Sequence, residues 1–325
     1  MATDSQEEVD GKQHTEQHTE QYAKPPAKLP RSAWMGVLRR TLSEFSEDNL
    51  TDWAAALTYY GIVAMFPALI ALVSILGLIG TSATKPLLDN LGDFAPGPAH
   101  QILSNALHGL TESRGSAGIL FVVGLAGALW SASGYIGAFI RASNQIWDVE
   151  EGRPIWQIVP LRLFVTVVML ILLAASAVAV VVTGPLADKV GKLIGIGGAA
   201  VTVWDIAKWP VLVLVVSVMF SILYYASPNV RQPGFRWVTP GGVLAVVAWM
   251  VASAAFGLYV ANFGSYNKTY GSLGAIIIFL VWLWLSNVAI LLGAELNAEI
   301  ARGRQIEAGQ PAEREPFLPP RKAAS

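Results

Sequence analysis

Cysteine is absent from the 325 residues, so neither a disulfide nor thiolate chemistry is available. Histidine is scarce, with four in the whole chain, which leaves little for metal ligation or acid–base catalysis. Charge is scarce as well. Asp, Glu, Lys and Arg make up 14% of the residues, against about 25% in a soluble domain. The net charge of -1 gives no reason to expect nucleic acid as a partner. The HExxH, GxSxG and GxxxxGK patterns of metalloproteases, serine hydrolases and phosphate loops are missing. No enzyme, no metal and no cofactor are therefore expected. The first fifty residues hold no apolar run. A cleaved signal peptide is thus not expected, and the first hydrophobic segment serves as its own insertion signal.

What the chain has in excess is apolar sequence: 54% hydrophobic residues and a mean hydropathy of +0.49. A membrane-spanning helix needs roughly 20 mostly apolar residues. Six stretches meet that length: Trp53–Gly80, Ala117–Ile140, Pro160–Gly184, Trp209–Ser227, Val238–Asn262 and Ser272–Glu295. The expected fold class is an all-α, polytopic transmembrane bundle with six spans over residues 31–302. Asp52 is placed to cap the first span, Pro160 and Pro210 stand near helix starts, and Gly184-Pro185 ends the third. Pro67, inside the first span, is expected to kink it. Leu193–Trp204 is apolar but too short to span, so it reads as re-entrant or interfacial.

The basic residues orient the bundle. With both termini in the cytoplasm, sixteen of the 22 Lys and Arg residues fall on the inner side, as the positive-inside rule requires. The expected location is a membrane, with both termini on its cytoplasmic side.

Residues 1–30 are polar, rich in Gln, Glu and Pro, and carry an HTEQHTEQ duplication. They are read as a disordered tail. His14 and His18 within it are too few to make a metal site. From Arg31 to Leu50, Trp34, Val37, Leu38, Leu42 and Phe45 recur at helical spacing between arginines. Such a helix either lies in the inner-leaflet interface or packs against the ends of the spans. Ile102, Leu103, Ala106, Leu107 and Leu110 form a second amphipathic pattern in the first outer loop, where His100 and His108 read as surface residues. Residues 303–325 are read as a second disordered tail.

Polar groups at membrane depth are costly and are functional candidates by default. Glu295 stands near the inner end of the sixth span. Asn287 lies two turns earlier, about 80° away around the helix. Arg141, Asn144 and Asp148 share a helix face at the inner end of the second span. Arg141 or Arg162 is expected to meet Glu295. That pair either pins two helices together or forms a polar vestibule for an anionic or zwitterionic group. Trp282, deep in the sixth span, is a candidate to line a cavity. Gly124 with Gly127, Gly134 with Gly137, and Gly257 with Ala261 imply close helix packing.

These residues carry a resemblance. The runs AAALTYYGIVAMFPALIALVSILG, RASNQIWDVEEGRP and PGGVLAVVAWMVASAAFGLYVANFGSYNKTYGSLGAIIIFLVWLWLSNVAILLGAELNAEI are similar to the YihY/virulence factor BrkB family of bacterial inner-membrane proteins. The similarity runs from about Trp34 to Arg302. Matching positions include Tyr59, Tyr60, Pro67, Asn144, Pro228, Pro240, Gly241, Tyr259, Tyr270, Gly271, Gly293, Glu295 and Asn297. Pro67, Pro240, Gly241 and Gly271 are the expected structural or kink positions. The family has carried a ribonuclease BN label, which this sequence does not support, lacking metal ligands, a basic stripe and clustered acids. Other members are linked to serum resistance and envelope lipid export. The resemblance implies a transporter or flippase of an amphipathic envelope molecule, with Tyr60, Arg141, Asn144, Asn287 and Glu295 as candidate substrate-binding residues. The alternative is a non-transporting scaffold for envelope assembly. Expected partners are membrane lipids and an envelope-assembly protein.

Overall fold

A computed structural model describes residues 29–79, 117–181, 198–262 and 272–324. The described residues form the helices α1 (Trp34–Glu47), α2 (Leu50–Ile79), α3 (Ala117–Ile146), α4 (Ile155–Val181), α5 (Gly198–Ala226), α6 (Pro240–Asn262) and α7 (Ser272–Glu307). The all-helical architecture expected from the apolar runs is present. Among the described residues five segments are long and apolar enough to cross a membrane: Val122–Ile146, Ile155–Ser176, Ile206–Ala226, Pro240–Ala261 and Ile276–Glu307. The expected first span falls on α2, a continuous helix of 30 residues with Pro67 inside its bounds. The N-terminal tail with His14 and His18, the first outer loop with His100 and His108, and Gly271 lie outside the described residues.

Several boundaries differ from the sequence reading. α5 begins at Gly198, so the second half of the short apolar segment Leu193–Trp204 is not re-entrant. It forms the first turns of the helix that carries the fourth span. Pro210 accordingly lies inside α5, well past its start, and Pro160 lies inside α4. Asp52 does not cap α2 but sits in its first turn, where a carboxylate still opposes the positive end of the helix dipole. The cap comes from Asn49, whose carbonyl accepts the amides of Asp52 and Trp53. Asn49 has φ 51, a left-handed conformation that Asn tolerates better than most residues. It turns the chain from α1 straight into α2.

Contacts divide the chain into two compact units. The larger comprises residues up to Thr58, Ala138–Leu161 and everything from Val168 on. Its centre is α7, which packs along α6 and against α1. Gly241 on α6 and Gly293 on α7 face each other so closely that a Cβ on either would overlap the other's carbonyl oxygen. Trp249 donates to Ser286 Oγ and Trp282 to Ser253 Oγ, both at 3.1 Å, and the two indoles meet edge to face. Trp282 therefore pins α6 to α7. The smaller unit comprises Tyr59–Gly137 and Arg162–Val167. Here Gly134 admits the Tyr60 ring and Gly137 admits the Arg162 guanidinium, as the paired small residues imply. Gly257, by contrast, faces open space.

α1 packs one face against the end of α7. Val37 is buried with Leu296 and Ile300 of α7, and Arg40 pairs with Glu299. Met35, Leu38 and Leu42 remain exposed on the opposite face.

The reading of residues 303–325 as disordered does not hold for 303–324. α7 runs on to Glu307, and Phe317 and Leu318 beyond it are buried. Phe317 stacks on Trp147 at 5.4 Å between ring centroids. Arg321 donates to the carbonyls of Val230 and Tyr225. A Pro-, Glu- and Arg-rich composition lacks the helical or strand period that signals packing. Buried rings, an ion pair and backbone bonds dock it all the same.

Candidate functional site: a carboxylate layer around Glu295

α7 has 36 residues and is about 54 Å long at 1.5 Å per residue, well beyond the roughly 30 Å of a hydrocarbon core. Its C-terminal turns therefore stand clear of the apolar stretch, and they carry Glu295, Glu299 and Arg302. The one-turn spacing puts the three on one side of the helix, against α1.

Glu299 has both oxygens engaged, and Arg302 is paired through its two terminal nitrogens. Arg302 donates to Glu44 at 2.7 Å, to Glu315 at 3.1 Å and to Glu299 at 3.4 Å, and lies over the Phe317 ring. Arg40 takes the other Glu299 oxygen. Glu295 differs. It is 1% exposed, its Oε2 accepts no hydrogen bond, and it has no ion pair among the described residues. The charged groups that act on it are carboxylates: Asp48, Glu299, Glu44 and Asp148.

The arginine expected on Glu295 is not there. Arg162 donates to the Ser133 carbonyl at 3.0 Å and to its hydroxyl at 3.3 Å, and Arg141 is exposed. The carboxylate that α7 does pair with cations is Glu299, one turn on, through Arg40 and Arg302. Spacing could not choose between two glutamates on one helix face. The choice depends on where α1 packs.

Burial also shapes the acids around Glu295. Asp48, which closes α1, is pushed up from 3.8 to about 6 by desolvation, only partly offset by a hydrogen bond from Gln145. Asp148, left-handed at φ 51 just past α3, is pushed up to about 7 by desolvation and by the nearby Glu315 and Asp48 carboxylates. Glu44 is raised by burial despite Arg302. Glu151 is the exception. Burial works to raise it, but hydrogen bonds from Arg153 and Asn144 outweigh that and hold it below the usual range.

The remaining candidates make contacts of their own. Asn144 gives its amide to Glu151 at 2.9 Å and accepts the Asn229 amide at 2.8 Å. Asn229 in turn holds the carbonyls of Glu150 and Lys322, so Asn144 anchors a clasp between the end of α3 and the C-terminal segment. Asn287 donates to Thr58 Oγ1 at 3.0 Å and ties α7 to α2. Tyr60 belongs to the smaller unit, against Gly134. Pro240 opens α6, where its missing amide costs nothing. Asn297 binds the Gly241 amide and Thr239. Glu44, Asp48 and Glu315 were not singled out in the sequence, because nothing local distinguishes them from solvated surface acids. Among the described residues no group of His, Asp or Glu side chains is arranged to hold a metal ion.

The virulence factor BrkB family profile matches residues 41–317, a range that contains α2 to α7 and the carboxylate layer. The chain belongs to the virulence factor BrkB family. It is 30% identical to the ribonuclease-like protein YfkH of Bacillus subtilis, over 84% of this chain and 98% of that one. It is 32% identical to a UPF0761 membrane protein of Alkalilimnicola ehrlichii, over 79% of this chain and 56% of the relative. A UPF0761 protein of Azoarcus is 30% identical, over 81% of this chain and 63% of the relative. The chain thus spans nearly the whole Bacillus protein but under two thirds of these two UPF0761 proteins. No solved structure matches it. The chain is a multi-pass membrane protein of the BrkB/UPF0761 family.

Proposed function

We propose that this chain is a transporter or flippase for an amphipathic, lipid-like or small anionic molecule of the envelope. In this reading it resides in the bacterial inner membrane with both termini in the cytoplasm, and Glu295 is its working group. One observation carries the reading: Glu295 is buried without a cation or a hydrogen bond on Oε2, while other carboxylates press on it. A buried acid costs several kcal/mol unless it is paired or neutralised, and a merely structural acid is paired, as Glu299 is. A carboxyl that must gain and lose a proton or a cation within a cycle cannot have a fixed counter-charge. With no nucleotide-binding motif in the chain, an ion gradient is the natural energy source.

A proteoliposome assay with a labelled anionic lipid tests this. Glu295→Gln is expected to remove at least nine tenths of the movement while leaving the thermal midpoint within a few degrees. Unchanged movement in that variant sinks the assignment. A scaffold for envelope assembly is the second reading. It is favoured by Asn144, whose amide is held by the Glu151 connection, and by Asn287, which bonds α7 to α2. It predicts a stable partner recovered by crosslinking and no movement in any variant. The chain is read as acting on no nucleic acid, and the ribonuclease-like name of the Bacillus relative is not carried over.

A further inference from the structure

A cleft of ≈ 70 Å³ opens where α6 begins, and Tyr224, Gln232, Arg236, Thr239, Asn297 and Arg304 are among the residues that line it. No Asp or Glu does. This sets it apart from the carboxylate layer, where every arginine meets acids. Elsewhere Arg40, Arg153 and Arg302 are paired with carboxylates and Arg321 with carbonyls. Arg304 has a buried Nε without a hydrogen-bond partner. Among the described residues neither Arg304 nor Arg236 has an ion pair or hydrogen bond. The two cations are also close enough to repel.

Two guanidinium groups facing one cleft without a counter-charge are unfavourable together, and they become favourable when an anion is shared between them. The first turn of α6 adds its dipole from the same side. Its amides at Gly241 and Gly242 are already held by Asn297 and Thr239. Direct hydrogen bonds to a ligand therefore fall to the arginines, whose planar forks suit a phosphate. Room for one water takes about 10–15 Å³ of such space, so the cleft has room for one phosphate-sized group.

The surroundings indicate where the phosphate comes from. Arg236 stands between Phe235 and Trp237, and the rings form an edge-to-face chain from Tyr225 through Phe235 to Trp237 at 5.5 and 5.2 Å. Trp237 is 70% exposed, with Val238 and Val243 exposed beside it. Exposed aromatic rings next to spanning helices sit at headgroup depth. We infer that the Arg236–Arg304 cleft is a binding site for the phosphate of an anionic lipid headgroup.

This site does not depend on Glu295 or on transport, so binding is the readout. The full chain, held in phosphatidylcholine nanodiscs, is titrated with phosphatidylglycerol, with phosphatidylcholine or with inorganic phosphate, and bound lipid is counted by native mass spectrometry. Phosphatidylglycerol is expected to bind in preference, with Arg236→Gln and Arg304→Gln each weakening it roughly ten-fold, as loss of a charge-assisted bond implies. Arg304→Lys should retain most of the affinity, and Arg231→Gln, outside the cleft lining, should retain all of it. Arg236 makes no hydrogen bond or ion pair among the described residues, so its variant keeps the test sharp even if Arg304→Gln folds poorly. Equal binding by wild type and Arg236→Gln overturns the inference. So does equal retention of phosphatidylcholine, or saturation by inorganic phosphate with no response to phosphatidylglycerol.

Discussion

Arg302 donates to Glu44 across 2.7 Å, a bond between residues far apart in the chain that fastens α1 onto the end of α7. The same guanidinium reaches Glu299 and Glu315, so one cation balances acids from three segments.

Removing that cation should be severe. Arg302→Ala leaves Glu299 and Glu44 partly uncompensated, and loss of one partner of a buried pair costs about 3–5 kcal/mol. Arg302→Lys should recover only part of this, because a point charge cannot address three carboxylates in the directions of a planar fork. Thermal melts of the purified protein in detergent measure both.

Gly293→Val is expected to force α6 from α7, since even a Cβ there overlaps the Gly241 carbonyl. Overpacking of this kind costs about 1–3 kcal/mol or more. Gly257→Ala is the control. It meets no neighbour within 4 Å and should leave stability unchanged or slightly raised. A lower melting point for the control would mean that α6 is lined differently.

Acidification should stabilise the fold over a defined window. Asp48 and Asp148 have folded values of about 6 and about 7 against 3.8 for the free side chain. The folded state therefore binds more protons between those limits, and stability falls as pH rises from about 4 to about 7, then levels off. Glu44 and Glu315 face the same layer and Arg302 opposes them. Asp148→Asn should flatten the upper part of the window. A melting temperature that rises across it in wild type would refute the sign.

Phe317→Ala should loosen the C-terminal segment. The ring is 3% exposed and stacks on Trp147, and Phe→Ala in a core costs about 3–5 kcal/mol. Limited proteolysis should then cut after Arg314 or Arg321, sites protected in the wild type.

The apolar runs alone established that the chain crosses a membrane by helices. Hydrophobic length is a local property, and a bilayer leaves the backbone no other way to satisfy its polar groups. Small residues likewise announced close packing at Gly134 and Gly137. Three things needed the tertiary structure. The carboxylate that carries no counter-charge is Glu295 and not Glu299, because α1 delivers Arg40 one turn further along α7. The C-terminal segment is docked, because Phe317 finds Trp147, a pairing that no local period encodes. Arg236 and Arg304 share a cleft although 68 positions separate them by their numbers. Charge pairing is decided by which chain segments meet in space, and sequence spacing reports on that only within a single helix.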